Sequence, residues 1–488
     1  MTSLAESRRG CIWLSGRAPL IVLALVSALS LGARAYRLDA PCVSPCRTAS
    51  AHALISDESF YVSAAQVIAG IRPPRRPTAG QVPTYQNAPL GTDPNGEHPQ
   101  GAKLVIAGAI ELLGDGPFAW RIGSVLFGSL AILGMHALVR AAGGGQWLAV
   151  GAATLMAADN LMIIWGRIAF LDIYALAPMI WGVALYLRGR VGRAAALLAV
   201  ADCMKEVSIY ALLVLGLVEL FRMLLHARAT DPADPLPAEW AWRPALARLA
   251  IATVGSAALL IVGLWVMGLI APPFSGDSGR QHLITGGPLG HLAYIINFAK
   301  GFRNAAGSQL GFPWQWWYDH GWQTLLRVNP SARACHVPPD YPSGVTCLPD
   351  SLPGRGPQAV RPVSALLMMI SPPILALATP ALVVCAVRAA RRRLVSQSPR
   401  DVGVAVLALA WTIGTWLPFE LQNLVYHRIS WLYYMVIVMP GVYVAVTDLA
   451  CLLCHRRSAW LRGAVAVWGL TVLAAAVVMF PFVATFSR

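Results

Sequence analysis

Long apolar runs separated by short polar or basic connections set the pattern of the chain. A helix that crosses a bilayer needs about 20 predominantly apolar residues, with tolerance from about 17 to 25. Runs of this kind lie at 18–36, 117–139, 146–164, 173–188, 192–204, 207–223, 245–271, 363–388, 402–418, 429–451 and 461–483, the fifth being short. They predict an all-α integral membrane protein with about eleven transmembrane helices. The run at 102–113 is nearer 12 residues, which suits a helix lying in the membrane interface better than a span.

Arg8, Arg9 and Arg17 precede the first run in the charge order of a signal peptide. That run is long, however, and no clean small-x-small site follows it, so an uncleaved first span is expected. With 102–113 lying flat, Arg140, then Arg188, Arg190 and Arg193, then Arg222 and Arg228, the cluster at 388–393, and Arg456 with Arg457 all fall on the face of the N-terminus. Basic residues collect on the cytoplasmic side. The expected product is a multi-pass protein of the plasma (cytoplasmic) membrane with a cytoplasmic N-terminus. Two extracytoplasmic loops, 37–116 and 272–362, are each too long to be mere connectors. The connection at 226–244, with Pro232, Pro235 and Pro237, reads as a cytoplasmic linker, and no internal repeat of the inverted-transporter kind is visible.

Composition agrees, with 57% hydrophobic and 12% charged residues where a soluble domain carries about 25% charged. The net charge of +15 sits in clusters between apolar runs, so it reflects topology and not a nucleic-acid partner. Cys42 with Cys46, and Cys335 with Cys347, are candidate disulfides if the loops face an oxidising compartment; unpaired thiols fit the sequence equally well. Cys451 and Cys454 form a CxxC beside His455, but no second ligand pair follows, which argues against zinc.

Ionisable residues near the outer ends of spans are the candidate chemistry. Asp57 and Glu58 open an amphipathic segment in which Phe60, Ala64, Val67 and Ile71 follow helical spacing; capping of that helix is the simpler reading. In the segment 97–104, His98 and Pro99 lead into a second interfacial helix carrying Lys103, which could equally snorkel to headgroups. Asp159, Arg167 and Asp172 surround a helix boundary, and Asp202, Lys205 and Glu206 interrupt the next pair of spans. A charge at the bilayer centre costs about 2.5–3.5 kcal/mol, so such groups pair or line a wet cavity. His427 and Arg428 precede Tyr433 and Tyr434, and Trp314 and Trp316 lie in the second loop, where interfacial seating is the plain alternative.

Taken in order, these segments resemble the GT-C membrane glycosyltransferases, and most closely the bacterial protein O-mannosyltransferase branch. The matching residues are Asp57 with Glu58, His98, Pro99 and Lys103, then Arg121, Arg167 with Asp172, Trp314 with Trp316, and Arg428 with Tyr433. The order holds over roughly residues 50–445. Gln100 stands where the family has a second proline, Gly101 and Ala102 replace its Leu-Gly, and the stretch from 335 to 362 matches nothing in the pattern. The resemblance implies a GT-C bundle with a catalytic module at 1–271 that includes the loop 37–116. The loop 272–362 and C-terminal transmembrane helices at 363–488 would follow.

It further implies transfer of a sugar, mannose in this branch, from a polyprenyl phosphate to a hydroxyl acceptor such as a protein Ser or Thr, with inversion. Asp57 is the expected base, with Glu58 beside it in the catalytic pair. Lys103, Arg167, Lys205 and Arg428 are expected at the donor phosphate, and His98, Asp172, Glu206, Trp314, Trp316 and Tyr433 are expected to position substrate. Membrane lipids, the lipid-linked donor and a protein or glycan acceptor are the expected partners, with no nucleic acid, cofactor or metal. A lipid or cell-wall glycan acceptor is the enzymatic alternative, and a lipid or sugar transporter the other class.

Overall fold

The computed structural model describes residues 16–39, 52, 54–74, 84–227, 238–276, 281–301, 303, 311–320, 323–329, 346–349, 363–390, 399–456 and 458–480. Each of the eleven predicted runs contains a helix: α1 (Ala18–Ala35), α4 (Pro117–Ala141), α5 (Gln146–Ala158) continued by α6 (Asn160–Trp165), α7 (Leu171–Leu187), α8 (Val191–Met204), α9 (Tyr210–Ala227), α10 (Trp242–Ile270), α12 (Pro372–Ala390), α13 (Pro399–Tyr426), α14 (Met435–His455) and α15 (Ala459–Val478). Among the described residues, eight helices are long and apolar enough to cross a membrane unaided, while Gln146–Ala158 and Leu171–Leu187 are shorter apolar helices. Asp159 breaks the third run because its side chain accepts a hydrogen bond from the Leu161 amide and so starts α6 afresh.

Two helices, α2 (Glu58–Ile68) and α3 (Gly101–Leu113), lie in the first long loop, and α11 (Gly287–Gly301) lies in the second. Ala64 and Val67, on the apolar face of α2, are covered by Tyr85 and Ala88. The second loop also holds three short strands, β1 (Gln323–Asn329), β2 (Thr346–Pro349) and β3 (Val363–Met368), in the order β2-β1-β3. β1 runs parallel to β2 and antiparallel to β3. The helix expected from 363 therefore starts only at Pro372. Residues Val363–Met368 are extended and paired with β1, and proline favours the first helical turn that follows. Cys42, Cys46 and Cys335 lie outside the described residues, as does the side chain of Cys347.

The helices form one bundle. α7 packs on α4 and α8, α8 on α10, and α13 on α9, α14 and α12, while α14 also meets α5. α7 and the first half of α14 are almost wholly buried, whereas α10 and α15 are mostly exposed on the rim, as lipid-facing helices should be. Two acidic groups within the bundle pair with arginines. Glu219 takes two hydrogen bonds of 3.0 Å from Arg248 and one of 2.8 Å from Tyr186, and Asp448 meets Arg388. One pole of the bundle collects the C-terminal ends of α1, α8 and α13 and the N-terminal ends of α3, α4, α7 and α14, and the polar residues converge there. Chain direction puts Arg140, Arg188 and Arg456 at the other pole.

Candidate active site

The carboxylate of Glu58 organises the start of α2. Its Oε1 accepts from Arg121 Nε at 2.9 Å and from the Ala169 amide at 2.7 Å, and its Oε2 accepts from Arg121 Nη2 at 2.7 Å and the Ile55 amide at 2.7 Å. Glu58 is fully buried, so four donors occupy its oxygens and none of its surface faces an open space. Arg121 also donates to Leu38 O at 2.9 Å, and Arg167 donates to Tyr36 O at 2.7 Å. These two arginines satisfy carbonyls just beyond the C-terminal end of α1, where a positive charge is favoured. Arg167 is buried over those carbonyls with Phe480 5.5 Å from its guanidinium carbon, so its Nη2 helps hold the end of α1.

Lys103 is likewise committed elsewhere. It has no exposed surface; its ammonium lies 2.6 Å from Asp93, donates to His98 O at 3.0 Å, and also meets the Asn95 carbonyl. It does not snorkel to the interface. Asp93, which carries no motif signal, is its counter-ion. The segment around it joins the two long loops: Asp93 N donates to Pro272 O at 2.9 Å, Phe274 N to Asp93 O at 2.7 Å, and His291 lies 2.8 Å from Gly96 O. Burial raises the carboxyl of Glu97, whose Oε1 accepts from Asn95 at 2.6 Å.

The remaining charges converge. Lys205 sits at the end of α8 in extended backbone (φ −158°), followed at once by a 3-10 turn, Glu206–Ile209. Its ammonium lies 2.8 Å from both oxygens of Asp172, at the first turn of α7, and 5.4 and 5.3 Å from the ring centroids of Tyr433 and Tyr434. His98 Nδ1 is 2.9 Å from Glu206 Oε2, and the His98 ring stands edge-on to Tyr61 at 5.8 Å. Gly101 makes this approach possible, because a Cβ there would fall 2.5 Å from the Cys203 carbonyl at the end of α8.

Asp57 precedes α2 but makes no side-chain cap bond, so the capping reading does not apply to it. Its carboxyl is half-buried and contacts Ser56 Oγ at 3.5 Å. Burial raises its pKa; Lys205 pulls it back, Asp172 raises it and His98 lowers it. The Asp57 carboxyl thus shares one electrostatic neighbourhood with the Lys205–Asp172 pair and His98. Arg428 completes the group from the α13–α14 connection: it donates to Gln422 at 2.5 Å, and its charge is felt by Tyr210 on α9.

Tyr433 lies stacked on Trp165 at 5.6 Å and meets Phe170 at 6.0 Å. Trp314 and Trp316, adjacent in the sequence pattern, point to different places. Trp316 is buried between Phe419 at 5.5 Å and Tyr434 at 6.4 Å, beneath the charged cluster. Trp314 is half-exposed and, with Trp317 and Trp416, lines a separate apolar groove of about 520 Å³ between α12 and α13. Trp314 is therefore away from the converged charges, because successive residues of a tight helical turn face different sides.

The arrangement brings together Asp57, His98, Asp172, Lys205, Glu206, Arg428 and Tyr433, over Trp316. It assigns Glu58, Lys103 and Arg167 to the surrounding frame. Tyr434, noted in the sequence beside Tyr433, walls the cluster together with Tyr61 and Phe170, which the sequence did not single out; Tyr61 could have been found from its place one helical turn after Asp57.

Residues 97–220 match the family model described as dolichyl-phosphate-mannose-protein mannosyltransferase. No curated protein matches the sequence. The fold is similar to that of the Pmt1–Pmt2 protein O-mannosyltransferase complex of S. cerevisiae bound to the sugar donor. The TM-score is 0.62 at 12% identity, over 98% of this chain and 91% of that one. It is also similar to ArnT from Cupriavidus metallidurans bound to undecaprenyl phosphate, with a TM-score of 0.51 at 14% identity over 97% and 67% of the two chains. A third similar structure is the oligosaccharyltransferase of Archaeoglobus fulgidus in the apo form (TM-score 0.52, 13% identity), of which this chain spans about half: 98% of this chain and 57% of that one are covered. The fold is similar to that of the GT-C glycosyltransferases.

Proposed function

We propose that this GT-C bundle transfers a mannosyl unit from a polyprenyl phosphate to a hydroxyl acceptor, a Ser or Thr of a protein, on the extracytoplasmic side of the plasma membrane. The observation that carries the reading is the convergence of a half-buried, hydrogen-bond-poor carboxylate, Asp57, on the Lys205–Asp172 and His98–Glu206 pairs, with Arg428 beside them. The match of 97–220 to a mannosyltransferase family model supports the sugar, and the lipid phosphate bound in one similar structure supports the donor class.

Phosphate is already a competent leaving group, so the site must supply positive charge where the phosphate departs and a base where the hydroxyl attacks. Arg428 and Lys205 provide the charge. Asp57 takes the acceptor proton as the hydroxyl oxygen bonds to the anomeric carbon; the bond from that carbon to the phosphate oxygen breaks, and its electron pair leaves with the phosphate. Attack from the opposite face inverts the configuration. The prenyl tail stays in hydrocarbon while the phosphate rests at the pole of the bundle.

The test is transfer from radiolabelled polyprenyl-phosphate mannose in membranes that contain the protein. Label in protein, released by alkaline elimination, is the expected result. Label in lipid or cell-wall glycan would replace the acceptor assignment. Label that only crosses sealed vesicles, without a covalent product, would replace the enzyme reading with transport.

A further inference from the structure

Two tyrosine hydroxyls next to the charged cluster have no hydrogen-bond partner among the described residues, although both side chains are buried. Tyr61 is 4% exposed and Tyr434 6%. The rings account for that burial: each hydroxyl oxygen keeps some accessible surface, so a hydroxyl of a ligand can reach it. Their rings are firmly held. Tyr61 is edge-on to His98 at 5.8 Å and to Phe170 at 5.9 Å, and Tyr434 stacks on Phe419 at 4.6 Å with an interplanar angle of 19°. Tyr434 reaches the cluster from the α13–α14 connection and has Lys205 5.3 Å from its ring; Tyr61 reaches it from α2, one turn after Asp57. The Tyr61 phenol is close enough to Asp57, Asp172, Tyr434 and Glu206 to feel all four, and burial holds its pKa well above the ordinary value, so it stays a protonated donor.

We infer that Tyr61 and Tyr434 are hydroxyl-recognition residues for the transferred sugar, each exchanging a hydrogen bond with a ring hydroxyl of a hexose held between Asp57 and Lys205. This rests on the glycosyltransferase reading above and adds the residues that choose the sugar. A phenol can donate and accept at once, as a sugar hydroxyl can, and it adds no charge beside the departing phosphate. A site built to hydrogen-bond a substrate hydroxyl discriminates strongly against an analogue that lacks it, since the protein group is then left unpaired. Two rigid phenols on separate elements fix two points of the ring and hence its orientation toward Asp57.

The experiment uses Tyr61→Phe and Tyr434→Phe, which keep both rings and their packing and remove only the oxygens. Each variant is assayed with polyprenyl-phosphate mannose and with a panel of donors lacking one sugar hydroxyl. With the full donor, each variant should lose about tenfold in kcat/KM while its thermal melting stays at the wild-type value. With one deoxy donor per tyrosine, variant and wild type should be equal, because the lost partners belong to the same bond. Wild-type rates in both variants with the full donor would overturn the inference, as would a loss of the same size with every deoxy donor. Wild-type protein that transfers from no polyprenyl-phosphate sugar would instead overturn the glycosyltransferase reading on which it stands.

Discussion

Arg121 and Glu58 meet along two parallel hydrogen bonds, Nε to Oε1 at 2.9 Å and Nη2 to Oε2 at 2.7 Å, with both side chains buried. The neighbouring acid, Asp57, has among the described residues no arginine partner and only the 3.5 Å contact to Ser56. Adjacent carboxylates that look alike in sequence therefore have divided tasks. One locks α2 to α4 and to the 166–170 turn, and the other is left available at the cluster.

Asp57→Asn should lower transfer by about 10²–10⁴-fold, the usual contribution of a general base, with expression and melting unchanged. Measured with labelled donor in detergent-purified protein, retained activity would remove Asp57 as the base. The pH profile gives a second readout. Because burial raises the Asp57 carboxyl above its ordinary value and Asp172 adds to the rise, activity should fall as pH drops through that raised pKa. Asp172→Asn removes one raising charge, so the acid limb of kcat/KM should move to lower pH; a limb that stays in place would separate Asp57 from the rate.

Glu58→Gln should act first on stability. Breaking one side of a buried ion pair leaves the other charge uncompensated, at about 3–5 kcal/mol. Thermal unfolding should shift down strongly, and replacing both residues together, Glu58→Met with Arg121→Met, should recover much of the loss. A single variant that melts normally but transfers nothing would instead give Glu58 a direct part in the chemistry.

Arg428→Ala should weaken use of the lipid donor more than use of the acceptor. A charge-assisted hydrogen bond to phosphate contributes about 1.5–3 kcal/mol, so the donor KM should rise by at least tenfold while the acceptor KM stays near the wild-type value. Equal shifts in the two constants would mark Arg428 as an anchor for the α13–α14 connection through Gln422 and Asn423.

Gly101→Ala should damage the site from outside it. The added Cβ would fall 2.5 Å from the backbone carbonyl of Cys203, which cannot rotate away, so α3 must move off the end of α8. Such overpacking costs about 1–3 kcal/mol, and here it would also separate His98 from Glu206. Lower melting together with reduced transfer is expected; a fully active, wild-type-stable variant would show that the α3–α8 contact does not set the geometry.

Hydrophobic run length determined most of the architecture by itself, because a bilayer-crossing helix must satisfy its own backbone hydrogen bonds and so declares itself locally. Each predicted run holds a helix, and the two interfacial helices of the first loop fall where His98, Pro99 and the Asp57 segment place them. Local pattern also nominated Lys205, Asp172, His98, Glu206 and Arg428, since charges at apolar boundaries need partners. It could not say which partner each would find. Whether Lys103 faces Asp93 or open space, whether Glu58 or Asp57 takes Arg121, and whether Trp314 or Trp316 turns inward depend on contacts between residues far apart in the chain. The start of α12 at Pro372 was hidden for the same reason: residues 363–368 are apolar enough to extend the helix, and only pairing with β1 draws them out as a strand. An ionised side chain in a low-dielectric bundle settles on the nearest complementary charge, and that neighbour is set by how the helices pack, not by the spacing within any one of them.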